Sequence, residues 1–127
     1  MTASPSIPDC RPYLPPEWAP QSAVLLTWPH HKTDWAPALA TVEQVFIEIA
    51  QAITEAEKLI IVCFDQTHMA HIKALLLAAG ISPNQLCFVI AESNDSWARD
   101  HGPITVLCQN EPLLLDFQFN GWGNKFS

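Results

Sequence analysis

PALATVEQVFIEIAQAITEAEKLIIVCF, residues 37–64, is the stretch that decides the fold. Leu39, Val42, Phe46, Ile49 and Ile53 recur at spacings of three and four, with Glu43, Gln44, Glu48, Gln51 and Glu55 on the other face. That alternation predicts an amphipathic helix through roughly Glu55. Pro37 suits its first turn, where a missing N–H costs nothing. Leu59–Phe64 then runs continuously apolar, as strands do in a sheet covered on both faces. A helix feeding such a strand belongs to a layered α/β arrangement.

The flanking sequence extends the pattern. Ala23–Trp28 is an apolar run stopped by Pro29, consistent with a buried strand, and His30–Trp35 is a polar loop. After Phe64, Thr67 or Asp65 can cap a second helix whose Met69, Ile72, Leu76 and Ala79 face inward. Gly80 ends that helix and Ser82-Pro83-Asn84 turns the chain. Leu86–Ala91 is the next strand. Ile104–Cys108 and Leu113–Phe117 flank Gln109-Asn110-Glu111-Pro112 as a hairpin. The expected order is strand, helix, strand, helix, strand, strand, strand, in an α/β fold with a mixed sheet. Residues 1–21, holding six of the eleven prolines, read as an irregular lead-in.

Composition narrows the function. The 127 residues suit one domain, and an apolar fraction of 49% excludes a disordered chain. Six basic against thirteen acidic side chains give a net charge of −7. Such a chain is a poor partner for nucleic acid and a better one for a small cation. The longest apolar runs, Leu59–Phe64 and Ala74–Ala79, are far too short to cross a bilayer. Met1-Thr2-Ala3-Ser4-Pro5 lacks the basic lead and apolar run of a secretory signal. Cysteines 10, 63, 87 and 108 show no CxxC pair or metal-like spacing. Cys63 and Cys87, inside strand-like segments, are expected as buried thiols in a reduced cytoplasmic protein, with a disulfide between strands as the alternative.

The densest chemistry lies in Glu92-Ser93-Asn94-Asp95-Ser96-Trp97-Ala98-Arg99-Asp100-His101-Gly102-Pro103, beyond a predicted buried strand. Sheets of this class commonly place ligands there. An aspartate can accept two parallel N–H bonds from a guanidinium, and an indole face can stack on the same group. Gly102-Pro103 would fix the exit of the loop and so the direction of Asp100. The competing reading is a surface turn with an internal Arg99–Asp ion pair and Trp97 in the core.

Asp95-Ser96-Trp97-Ala98-Arg99-Asp100-His101-Gly102-Pro103 resembles the W-x-R-D-x-G-P signature of the agmatine deiminase family, which includes bacterial peptidylarginine deiminases. Pro16-Glu17-Trp18-Ala19-Pro20 with Thr27-Trp28-Pro29-His30 is similar to that family's E-W-x-P…W-P stretch. Phe119-Asn120-Gly121-Trp122-Gly123-Asn124-Lys125 is similar to its F-N-x-W-G-x-K segment. The three motifs stand in family order from about Pro15 to Phe126.

The resemblance implies part of a five-bladed β/α propeller, the pentein fold, with residues 1–127 as the N-terminal portion of one deiminase domain. It implies hydrolysis of agmatine to N-carbamoylputrescine and ammonia through a covalent cysteine thiouronium, without metal or cofactor. Peptidylarginine is the rival substrate, and a non-catalytic guanidinium-binding module is the reading from another class. Asp100 is implied as a guanidinium-binding carboxylate and Trp97 as a wall of the pocket. Trp122 is implied near the mouth of the site. Asp95 either caps its own loop or binds the substrate amine.

The family's H-x-D histidine and its cysteine in a glycine-rich stretch have no match here. The chain is therefore expected to be a truncated, inactive piece, of low stability or associating when alone. Neither a nucleic acid nor a membrane is expected as partner, and a homo-oligomer of the full-length protein is compatible with this piece.

The remaining candidates have plainer readings. His30-His31 is expected as a solvated loop, and His68 and His71 as exposed helix histidines, rather than metal ligands. Cys108 reads as a buried structural thiol and Arg99 as scaffold. Trp18 and Trp28 read as core aromatics.

Overall fold

A computed structural model describes residues 10–125. Residues 1–9 of the proline-rich lead-in, and the last two positions of the segment ending at Ser127, lie outside them. The described chain forms two compact units, one of Gln21–Ala98 and one joining the N-terminal segment through Pro20 to Arg99 and beyond.

In the first unit, β1 (Ala23–Thr27), β2 (Lys58–Cys63) and β3 (Leu86–Ile90) make a parallel sheet in that order. Helices α1 (Leu39–Thr54) and α2 (Gln66–Ala78) are the crossovers. Consecutive right-handed crossovers put both helices on one face. Leu59, Ile61 and Cys63 of β2, every second residue, are fully buried against Ile47 and Ala50 of α1 and Ile72 and Leu76 of α2. Each leucine or isoleucine side chain among them contributes about 1.5–3 kcal/mol. The opposite face carries Leu25, Ile60 and Cys87 in register. Cys87 is exposed there, contrary to the buried thiol expected, because β3 is an edge strand and only its Leu86 and Phe88 turn to the helices.

The element order is the expected one, and the caps explain its borders. Asp65 accepts the His68 N–H at 2.7 Å, and Gly80 stops α2 at φ +84°. The face of α1 agrees with expectation at Phe46 and Ile53, which pack against the core, and departs from it at two positions. Glu43 is buried with Ile47 and Ala50, whereas Ile49 is exposed. The Glu43 carboxylate is satisfied inside: it accepts Trp28 Nε1–H at 2.8 Å and His71 Nε2–H at 2.9 Å. Trp28 is the core aromatic expected, edge-on to Phe46.

In the second unit, β4 (Ile104–Cys108) and β5 (Glu111–Leu115) pair antiparallel. Parallel and antiparallel pairing thus occupy separate sheets. The hairpin turn is Gln109-Asn110, both at positive φ, and Glu111 and Pro112 are already strand. That is the turn whose twist matches two flanking strands. Tyr13 exchanges backbone hydrogen bonds with Leu107, and Cys10 is disulfide-bonded to Cys108 across a Cα separation of 5.9 Å. This corrects the expectation of reduced cysteines and of a free thiol at Cys108. The Tyr13 bridge lays the lead-in along β4 and brings residues distant in sequence to bonding range. Trp18, expected in a core, is 87% exposed, on a turn closed by Ala19 N–H to the Pro16 carbonyl.

Candidate functional site

The cluster after β3 begins where the ladder stops. Ala91 N–H still bonds the Cys63 carbonyl, and from Glu92 the segment is irregular up to α3 (Ala98–His101). Side chains from the loop after β1 hold it instead. His30 Nε2–H is shared between the Ser93 carbonyl at 2.8 Å and its hydroxyl at 3.2 Å. Trp35 Nε1–H donates to Ser96 Oγ at 2.9 Å.

Asp95 is buried, and its Oδ1 accepts Ser96 N–H at 2.7 Å. Of the two roles open to it, the capping bond is the one formed. Trp97 is 55% exposed, so it is not the core residue of the competing reading. Asp95 and Trp97 belong to the 21–98 unit, Asp100 and Trp122 to the other.

Asp100 lies in the single turn of α3 with its side chain exposed. No hydrogen bond or ion pair among the described residues engages its carboxylate. Arg99 reaches Glu17 at 4.0 Å instead of an aspartate, with both side chains exposed, a pairing of negligible strength. Trp122 sits in α4 (Gly121–Asn124), a turn in which Gly121, Trp122, Gly123 and Asn124 all take positive φ. Glycine at two of the four makes a left-handed turn affordable. Asn120 caps it by accepting Gly123 N–H at 3.1 Å, and Phe119 stands edge-on to the Trp122 ring.

His31 and His71 are exposed as expected, whereas His30 and His68 overturn their plain reading. His30, expected in solvent, is buried: Nδ1 accepts Lys32 N–H and the ring lies 4.4 Å from that of Phe64. His68, expected exposed, is partly buried. Its Nδ1 accepts Phe64 N–H at 2.9 Å and its Nε2–H donates to the Pro29 carbonyl at 3.1 Å. In both rings the Nδ1 bond assigns the proton to Nε2. Burial lowers the pKa of each below the usual 6.5. His30, His31, Glu43, Asp65, His68 and His71 line a cavity of about 340 Å³ at the carboxyl ends of β1 and β2. No group of three or more ligating side chains suited to a metal ion occurs among the described residues. Only the polar partners around His30 could have announced its role. The one it reaches across the fold, Ser93, is 63 positions away in sequence.

Three of the four cysteines are not available as thiolate nucleophiles. Cys10 and Cys108 are bonded, and burial pushes the Cys63 thiol up to about 11. Among the described residues no helix is long and apolar enough to cross a membrane.

The family described as Porphyromonas-type peptidyl-arginine deiminase matches residues 13–127. A Shewanella baltica protein provisionally named agmatine deiminase is 37% identical over 113 residues, covering 87% of this chain and 28% of its own length. The structure of the agmatine deiminase of C. jejuni with substrate bound superposes with a TM-score of 0.81 at 30% identity, covering 98% of this chain and 35% of that one. A Porphyromonas gingivalis structure, provisionally described as an arginine deiminase, gives 0.72 at 45% identity over 92% of this chain and 33% of its own. The α/β fold, expected as part of a β/α propeller, agrees with these likenesses. The chain spans about 28% of the length of the curated relatives it matches.

Proposed function

The chain belongs to the Porphyromonas-type peptidyl-arginine deiminase family, and from that premise we propose that the whole protein is an agmatine deiminase-like hydrolase. Agmatine and water would give N-carbamoylputrescine and ammonia. A cysteine thiolate attacks the guanidinium carbon, the C–N bond breaks as ammonia leaves protonated, and water then cleaves the C–S bond. A guanidinium is a poor electrophile because its charge is delocalised, so rigid orientation beside the thiolate supplies much of the rate, of order 7–11 kcal/mol in favourable cases.

In this reading the present residues supply the grip and not the nucleophile. Asp100 accepts the guanidinium N–H pair, Trp97 forms a wall against the flat cation, and Trp122 stands near the mouth. Asp95 acts mainly by keeping its loop in shape. The observation that carries the proposal is the Asp100 carboxylate: exposed, without a hydrogen bond or ion pair among the described residues, and three positions after an exposed indole. The negative net charge favours the approach of such a cation. A cytoplasmic setting, the other part of this reading, stands against the Cys10–Cys108 disulfide, because such bonds are rare there.

Calorimetric titration of the chain with agmatine tests the grip. Saturable weak binding, reduced about tenfold or more by Asp100→Asn, is the expected result, since a charged hydrogen-bond partner is lost. Equal binding by the variant sinks the assignment. Ammonia release by this chain alone would show that the nucleophile is here after all. Peptidylarginine is the second reading, favoured by the description of the matching family. Stronger binding of an arginine-containing peptide than of agmatine would select it.

A further inference from the structure

We propose that His30 and Trp35 are positioning residues of the guanidinium site, which clamp Ser93–Trp97 from the loop after β1 and so fix how Trp97 is presented. The proposal rests on the reading of Trp97 as a wall of that site.

The clamp has two jaws and a rigid base. One jaw is the His30 Nε2–H on the carbonyl and hydroxyl of Ser93. The other is the Trp35 Nε1–H on Ser96 Oγ. Between them Asp95 caps Ser96 N–H, and Trp97 follows directly. Sheet pairing ends at Ala91, and beyond it these side-chain bonds take part in shaping the segment. The base is stiffened from within: Thr33 Oγ1–H and N–H both bond the His30 carbonyl, and Trp35 N–H bonds Thr33 Oγ1. Lys32 N–H occupies His30 Nδ1, which leaves Nε2 as the donor and aims it at Ser93. A buried imidazole needs such partners or it is costly. Here both its nitrogens are used, and one of them is spent on a loop that no strand pairing holds.

Amide hydrogen exchange by NMR, with a parallel agmatine titration, tests this on the unsubstituted chain and on Trp35→Phe, His30→Phe and His30→Gln. The Ser96 amide should exchange about tenfold faster in Trp35→Phe, the scale of one lost hydrogen bond. Amides of Ile60–Val62 should not change. The agmatine Kd should rise about fivefold or more in the same variant. His30→Phe should do the same at Ser93–Trp97, and His30→Gln, whose amide can donate to Ser93, should restore most of it. If His30→Phe loosens β2 as well, Trp35→Phe decides alone. Unchanged Ser96 exchange in Trp35→Phe overturns the proposal, whatever agmatine does. Faster exchange with an unchanged Kd overturns it too, because the loop would then be held for stability only. Failure of the unsubstituted chain to bind agmatine overturns the functional reading and the positioning role with it, while the exchange rates still report the clamp separately.

Discussion

The two units are held by different forces. Residues 21–98 bury nine apolar side chains in one cluster beneath two helices. The unit built on the β4–β5 hairpin buries Val106 and Cys108, and leaves Ile104, Leu114, Phe117 and Phe119 exposed. What the second unit lacks in apolar burial it replaces with a covalent tie and a left-handed turn. The difference teaches that hydrophobic patterning specifies most of the first unit, whereas the second depends on bonds that pattern does not encode.

The largest expected effect lies in the first unit. Ile61→Ala removes a fully buried side chain under both helices and should cost about 2–5 kcal/mol. Leu114→Ala, at an exposed position of β5, should cost less than about 0.5 kcal/mol. Urea denaturation of both variants checks the contrast, and comparable losses would erase it.

Next is the tie itself. Cys10→Ser opens a loop whose ends are 98 residues apart and should cost about 2–4 kcal/mol. The loss should appear as faster exchange of the Tyr13 and Leu107 amides, which bond each other, ahead of those in β2. Uniform loosening of both units would mean that the disulfide guards the whole chain.

The smallest effect is a pH slope confined to the first unit. Burial lowers the pKa of His30 and His68 in the folded chain, so the unfolded chain binds more protons as pH falls through 6.5. Stability is therefore fully present above that value and is lost on acidification. His31 and Lys32 oppose protonation of His30 and Asp65 favours it; around His68, His30 opposes it while Glu43 and Asp65 favour it. Denaturation midpoints between about pH 8 and pH 5 should fall with pH, and His30→Gln with His68→Gln should flatten the curve. A midpoint that rises on acidification contradicts the neutral tautomers.

Local chemistry made much of the first unit legible. The spacing in residues 37–64, the Asp65 cap and Gly80 fix elements through forces acting within a few residues. The exact phase of α1, with Glu43 inside and Ile49 outside, was not legible. Val42, Val45, Phe46, Ile47, Ile49 and Ile53 make an apolar band wide enough for several rotations, and the Trp28 indole N–H turns Glu43 inward. The burial of His30, the pairing of Cys10 with Cys108 and the exposure of Trp18 all depend on what the fold brings near, or fails to bring near, from far along the chain. At the candidate site, the motif named Asp100 and Trp97, while the side chains that brace the loop came from the segment read as solvated.

One bond also changes what it means to cut this molecule. Every backbone position from Arg11 to Leu107 lies inside the ring that Cys10 and Cys108 close. A protease that nicks the chain once anywhere in that interval liberates nothing. The two pieces travel as one mass until a reductant parts them, so on a non-reducing gel a clipped molecule passes for whole.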